Sequence, residues 1–103
     1  QESMEFSGVL LNLVLGQISF HDHTLDLSKN EVKILYYLFL NQDFPVPRDD
    51  LIEYLWESKL YVDENILNVN LSRLRKRLAG IGLKNFIRTI PGAGYQLEME
   101  ETP

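Results

Sequence analysis

The sequence predicts an α+β domain in which an N-terminal antiparallel sheet precedes three helices and a C-terminal β-hairpin. Three observations carry that prediction. Residues 6–27 alternate short apolar runs with turn residues, and two helix-start signals and a leucine repeat at helical spacing follow. Near the end, two β-rich runs flank Pro91-Gly92-Ala93-Gly94. A chain of 103 residues accommodates one such domain, which buries roughly 60–65% of its unfolded surface without metal or disulfide support.

The runs Val9 to Leu15, Gln17 to Phe20 and Thr24 to Leu27, broken at Leu15-Gly16 and at His21-Asp22-His23, read as a small meander. Residues 1–5 read as a linker or cloning remnant, residues 6–98 as the domain and residues 99–103 as a tail. Ser28-Lys29-Asn30-Glu31 has capping-box spacing and opens a first helix that runs to about Asn41, with Ile34, Leu35 and Leu38 on its core side. Pro45-Val46-Pro47 makes a short extended connector. Asp49 and Asp50 suit the positive end of a second helix, whose buried stripe is Leu51, Ile52, Leu55 and Trp56. Glu57 to Val62 has no period and reads as a loop, and Asp63 caps the third helix. Trp56 and Tyr95 belong to apolar sets and are expected in the core.

The third helix is the most informative segment. At about 100° per residue, Leu67, Leu71, Leu74 and Leu78 fall in a seam roughly 60° wide, which faces the core. Asn65, Val69, Ser72, Arg73 and Lys76 then lie opposite, with Asn68 and Arg75 on one flank and Arg77 on the other. Gly80 and Gly82 end the helix, and Phe86 to Ile90 and Tyr95 to Leu97 form the hairpin strands.

Charge sharpens this picture. The chain has ten basic and fifteen acidic residues, yet between Asn65 and Leu97 it carries Arg73, Arg75, Lys76, Arg77, Lys84 and Arg88 and no carboxylate. With screening over about 8 Å at physiological salt, such a face attracts phosphates locally even on an acidic protein. Cysteine is absent, which excludes disulfides, thiol nucleophiles and thiolate metal sites and agrees with a reducing, cytoplasmic setting. The run Ile34 to Leu40 is far below the ~20 residues of a membrane span. His21 and His23 without a third ligand give no metal site, and neither stands near a candidate nucleophile, so no cofactor and no catalysis are expected.

These residues resemble a known family. Val62-Asp63-Glu64-Asn65, then Leu71-Ser72-Arg73-Leu74-Arg75-Lys76-Arg77-Leu78, then Ile87-Arg88-Thr89-Ile90-Pro91-Gly92-Ala93-Gly94-Tyr95 are similar to the DNA-binding effector domain of OmpR/PhoB-type bacterial response regulators. The likeness extends to Leu27-Ser28-x-x-Glu31 and to Arg48-x-x-Leu51-Ile52-x-x-Leu55-Trp56. Asn68-Val69-Asn70 and Gly82-Leu83-x-x-Phe86-Ile87 are most similar to the Gram-positive branch that responds to cell-envelope antibiotics.

The resemblance implies a winged helix-turn-helix, with the third helix in the major groove of double-stranded DNA and the hairpin as a wing. Carried over by position, Val69 meets a thymine methyl and Arg73 reaches base edges. Asn65 and Lys76 lie on the same DNA-facing surface, and Asn68, Asn70, Ser72 and Arg75 contact bases or phosphates. Thr89 sets the wing on the backbone, with Arg88 beside it. Pro91 stands where many members carry an arginine, which weakens minor-groove insertion. Ser58, Lys59, Leu60 and Tyr61 correspond to the loop that touches RNA polymerase, and Leu60 and Tyr61 are expected to be exposed.

The resemblance also implies a receiver domain answering a sensor kinase, for which 103 residues leave no room, so the chain is expected to be a fragment. Two copies would sit on a direct repeat, the isolated domain being monomeric. Two rival readings keep the fold: a protein-docking module, which calls for an apolar outer helix face, and the effector of a membrane-anchored one-component regulator.

Overall fold

The computed structural model describes residues 2–100. Its elements follow the predicted order: β1 (Ser3–Phe6), β2 (Val9–Asn12), β3 (Gln17–Phe20), β4 (His23–Asp26), α1 (Lys29–Leu40), α2 (Arg48–Glu57), α3 (Glu64–Ala79), β5 (Ile87–Ile90) and β6 (Gly94–Leu97). The first four strands form an antiparallel meander in sequence order, and β5 and β6 form a separate hairpin.

Local chemistry accounts for the sheet. Ser7 and Gly8 both take positive φ, 50° and 85°, as a two-residue turn between twisted strands demands. Met4 faces Leu11, and Leu11 faces Ile18, so all three point into the core. The expected run to Leu15 stops at Asn12, because Asn12 Oδ1 accepts from the amides of Val14 (3.0 Å) and Leu15 (2.9 Å) and turns the chain.

The ends differ from the expected tails. Ser3–Phe6 is a strand, held by its ladder to β2 and by burial of Met4, and the Leu13 amide donates to the Glu2 carbonyl at 2.8 Å. At the other end the Glu98 amide donates to the Phe86 carbonyl at 2.9 Å, Met99 packs against the core, and Asn85 Nδ2 donates to Glu100 at 2.8 Å. Gln1 and residues 101–103 of the expected tails lie outside the described residues.

The helices start where their caps dictate. Ser28 Oγ accepts from the Glu31 amide at 3.2 Å, and Glu31 accepts from the Ser28 amide at 2.8 Å, completing the capping box of α1. Ile34, Leu35, Leu38 and Phe39 of α1, Leu51 and Leu55 of α2 and the four seam leucines of α3 meet in one core with the inner face of the sheet. No buried polar side chain occurs among the described residues.

Trp56 departs from expectation: it is 52% exposed. Lying one residue past Leu55, it is turned about 100° off the buried stripe. Its indole Nε1 donates to the Val62 carbonyl at 2.9 Å, and its ring meets Tyr61 edge-on at 4.9 Å. Tyr95, by contrast, is buried as expected.

The connector between α1 and α2 completes the wing. The Val46 amide donates to the Tyr95 carbonyl at 2.7 Å and the Tyr95 amide donates to the Val46 carbonyl at 2.9 Å, so Val46 forms a one-residue antiparallel bridge to β6. Flanking Pro45 and Pro47 keep it extended.

Candidate nucleic-acid interface

Helix α3 begins at Asp63, whose carboxylate accepts from the Ile66 amide at 2.8 Å. Its leucine seam is buried throughout, which fixes the orientation of every other side chain on the helix. Asn65, Asn68, Val69, Ser72, Arg73 and Lys76 are exposed, as the periodicity predicts. Ile66 joins them at 47% exposure, one turn from Val69 at 48%. On the same wheel Ile66 lies about 20° from Arg73 and about 80° from the nearest seam leucine, at the edge of the outer face, where its apolar character alone argued for the core.

Asn70 sits apart from that face. It is half-buried and shares a groove with Ser28, Asn30, Glu31 and Ile34 of the first cap and helix, and with Arg73 and Arg77. Arg77 closes this groove: its Nε donates to Glu31 at 3.0 Å and its Nη2 donates to the Asp26 carbonyl.

The six basic residues of the segment do not stand equally free. Arg75 reaches across to the wing, where Nε donates to the Ile87 carbonyl at 2.9 Å and Nη2 donates to Thr89 Oγ1 at 2.8 Å. Its guanidinium also lies 5.9 Å from the centre of the Tyr95 ring. Arg88 is paired with Glu98 at 2.9 Å. Arg73, Lys76 and Lys84 make no ion pair among the described residues. Thr89 is therefore joined to α3 through Arg75, whereas Arg88, the next residue along a strand, turns to the opposite side.

Arg48, known from the sequence only as part of the second-helix pattern, proves to be a site neighbour. Its Nε donates to the Tyr95 hydroxyl at 3.1 Å, and Nη1 pairs with Glu64 at the start of α3. Hydrogen bonding to Tyr95 and then the nearby charge of Glu64 push its pKa upward. Arg48 and Glu64 line a cleft with Thr89, Pro91, Gly92 and Tyr95 of the wing. Pro91 is at the exposed tip.

The loop after α2 divides. Tyr61 is exposed, but Leu60 is half-buried against the core, contrary to the expected exposed pair. The Leu60 amide donates to the Leu55 carbonyl at 2.8 Å, which turns its side chain inward. Ser58 is also half-buried: its hydroxyl donates to the Leu55 carbonyl at 3.0 Å, while its own carbonyl accepts from Lys33 Nζ at 2.6 Å. Lys59 is exposed at a φ of 70°.

Comparison with known proteins agrees with this geometry. Residues 22–97 match the family model described as transcriptional regulatory protein, C terminal. The sensory transduction protein BceR of Halalkalibacterium halodurans is 42% identical over 88 residues, covering 85% of this chain and 38% of its own. The response regulator protein GraR of Staphylococcus saprophyticus is 40% identical over 92 residues, covering 89% and 41%. The chain thus spans about two fifths of these relatives. Among solved structures, the C-terminal domain of the nisin resistance regulator NsrR, a lantibiotic response regulator, superposes with a TM-score of 0.83 at 38% identity, covering 95% of this chain and 99% of that one.

Proposed function

The chain belongs to the family of OmpR/PhoB-type transcriptional regulatory C-terminal domains, and from that membership we propose that it binds duplex DNA in a sequence-specific way as the effector of a two-component response regulator. The observation that carries this reading is the exposed, carboxylate-free face of α3 from Asn65 to Lys76, standing beside Thr89 of the wing. A helix fits the major groove, where Arg73 can pair bidentately with guanine and Val69 can sense a thymine methyl. Asn65, Asn68 and Ser72 add polar contacts to bases or phosphates, and Lys76 adds a phosphate contact. Asn70 is a contact from the edge of the face. No catalytic chemistry is assigned.

In the full-length protein a receiver domain answers a sensor kinase, in the cytoplasm, and two copies occupy a direct repeat. The loop Ser58 to Tyr61 meets RNA polymerase through exposed Lys59 and Tyr61, with the exposed Trp56 ring continuing that surface. Likeness to the nisin resistance regulator supports the branch that answers antibiotics acting on the cell envelope. The exposed Ile66–Val69 pair favours a second reading, a protein-docking helix, although Asn65, Asn68 and Arg73 surround it with polar groups.

Fluorescence anisotropy against a mixed-sequence duplex and tandem sites, across a salt series, tests the proposal. Micromolar binding is expected, weakening with salt at a log-log slope of roughly −3, the value for Arg73, Lys76 and Lys84 as free cations. Arg73→Ala is expected to weaken it about tenfold or more. No binding at low salt to any duplex would overturn the reading in favour of protein docking.

A further inference from the structure

Arg75 is a conspicuous basic residue of α3, yet its guanidinium is committed within the protein. Two of its nitrogens bracket one strand of the wing, Nε on the Ile87 carbonyl and Nη2 on the Thr89 hydroxyl, and the same group lies over Tyr95 of the other strand. Lysine cannot reproduce this fork, because an ammonium is a point charge without a planar pair of donors.

The bond to Thr89 has a chemical consequence. A hydroxyl has one proton to donate and two lone pairs to accept with. Since Thr89 Oγ1 accepts from a cation, its proton remains for an outside acceptor, and the cation polarises that proton into a better donor. Thr89 is exposed, and a phosphate oxygen approaching between wing and helix is such an acceptor.

We propose that Arg75 is a positioning residue that acts through Thr89: it locks the wing onto the recognition helix and aims a polarised Thr89 hydroxyl at a DNA phosphate, rather than touching DNA itself. The proposal rests on the DNA-binding reading for its phosphate. Its structural half, the coupling of Arg75 to the wing, exists without DNA.

The experiment has two arms on one set of variants, Arg75→Lys, Arg75→Gln, Thr89→Val, Thr89→Ser and the Arg75→Gln/Thr89→Val pair. Without DNA, amide NMR shifts and hydrogen exchange report the wing. Arg75→Lys and Arg75→Gln are expected to perturb Ile87 to Ile90 and Gly94 to Gln96 alike, while the α1 core amides stay unmoved. With DNA, both Arg75 variants are expected to lose roughly tenfold in affinity, as does Thr89→Val, from the loss of one charged hydrogen bond. The salt slope is expected to hold within about 0.3 for Arg75→Gln, and the double variant to bind no worse than the poorer single one. Thr89→Ser, which keeps the hydroxyl, should bind as wild type does.

Near-normal binding by Arg75→Lys, with a slope reduced by about 0.9 in Arg75→Gln and additive losses, would make Arg75 a phosphate contact and overturn the proposal. Unmoved wing amides in both Arg75 variants would overturn it without reference to DNA. Failure of the wild type to bind any duplex would instead sink the DNA-binding reading, and the wing amides would still decide whether Arg75 holds the wing.

Discussion

Gly94 is the glycine whose replacement the fold tolerates least. Its φ of 135° lies where side chains are rarely found, and a Cβ there would stand 2.0 Å from the Val46 carbonyl oxygen. That oxygen accepts from the Tyr95 amide, so the obstruction belongs to the backbone and not to a side chain that can swing aside. Gly94→Ala is expected to cost more than about 2 kcal/mol, combining backbone strain with loss of the Val46 bridge. Urea unfolding measures it, and a loss under 0.5 kcal/mol would mean that the wing and the connector part at little cost. Sequence inspection showed Gly94 as a turn glycine but could not show Val46 against it, because nothing local links residues 48 positions apart. Arg75 was opaque for the same reason. A helical wheel places it on a flank, and only the folded hairpin brings the Ile87 carbonyl and Thr89 within its reach.

Helix α3 illustrates what local pattern does reveal. Its cap, its seam and most of its outer face are set by residues within a few turns of one another and are legible in the sequence, whereas exposed Ile66 and half-buried Asn70 are not. Asp63→Ala removes the acceptor for the Ile66 amide and a negative charge at the positive helix end. Thermal unfolding is expected to show a loss of about 1 kcal/mol, and DNA binding should weaken with it if the first turn frays. Short strands are harder to read. Ser3–Phe6 offers only two apolar side chains, too few for a period of two to stand out, and its identity as a strand depends on β2. Trp56 failed differently, since apolar character placed it in the core while its angle placed it beside the loop.

The pairing of α1 with α2 yields a further prediction. Tyr37 and Tyr54 stack at 4.3 Å, with Tyr36 at 6.2 Å from Tyr54. Burial, followed by the neighbouring tyrosines, raises the Tyr54 pKa above the ordinary value of 10.0. The folded state therefore holds that proton more tightly than the unfolded one. Its contribution to stability is complete below pH 10 and falls as pH rises from there through the folded pKa. Urea midpoints between pH 9 and 11 are expected to fall less for Tyr54→Phe than for wild type, and equal falls would place the sensitivity elsewhere.

Across the whole molecule, function depends on where charge lies more than on how much there is. The net charge of −5 would repel DNA if it were spread evenly. Two exposed pairs, Arg48–Glu64 and Arg88–Glu98, stabilise the fold little, since such pairs contribute about 0–1 kcal/mol, and a third, Arg77–Glu31, is half-buried on its carboxylate side. Their larger effect is to set which cations remain open to phosphate. Glu64→Gln and Glu98→Gln each raise the net charge by one, but the sites differ. Glu64 borders the cleft shared by Arg48 and Thr89, whereas Glu98 pairs with Arg88 on the side of β5 turned away from Thr89. Glu64→Gln should therefore free Arg48 toward the DNA, tightening binding several-fold and steepening the salt slope by up to about 0.9. Glu98→Gln should change affinity by about twofold or less, through the screened field alone. The same anisotropy salt series measures both. Equal gains would mean that net charge governs association, and a larger gain for Glu98→Gln would put Arg88 on the phosphate backbone and reverse the assignment of the wing's two faces.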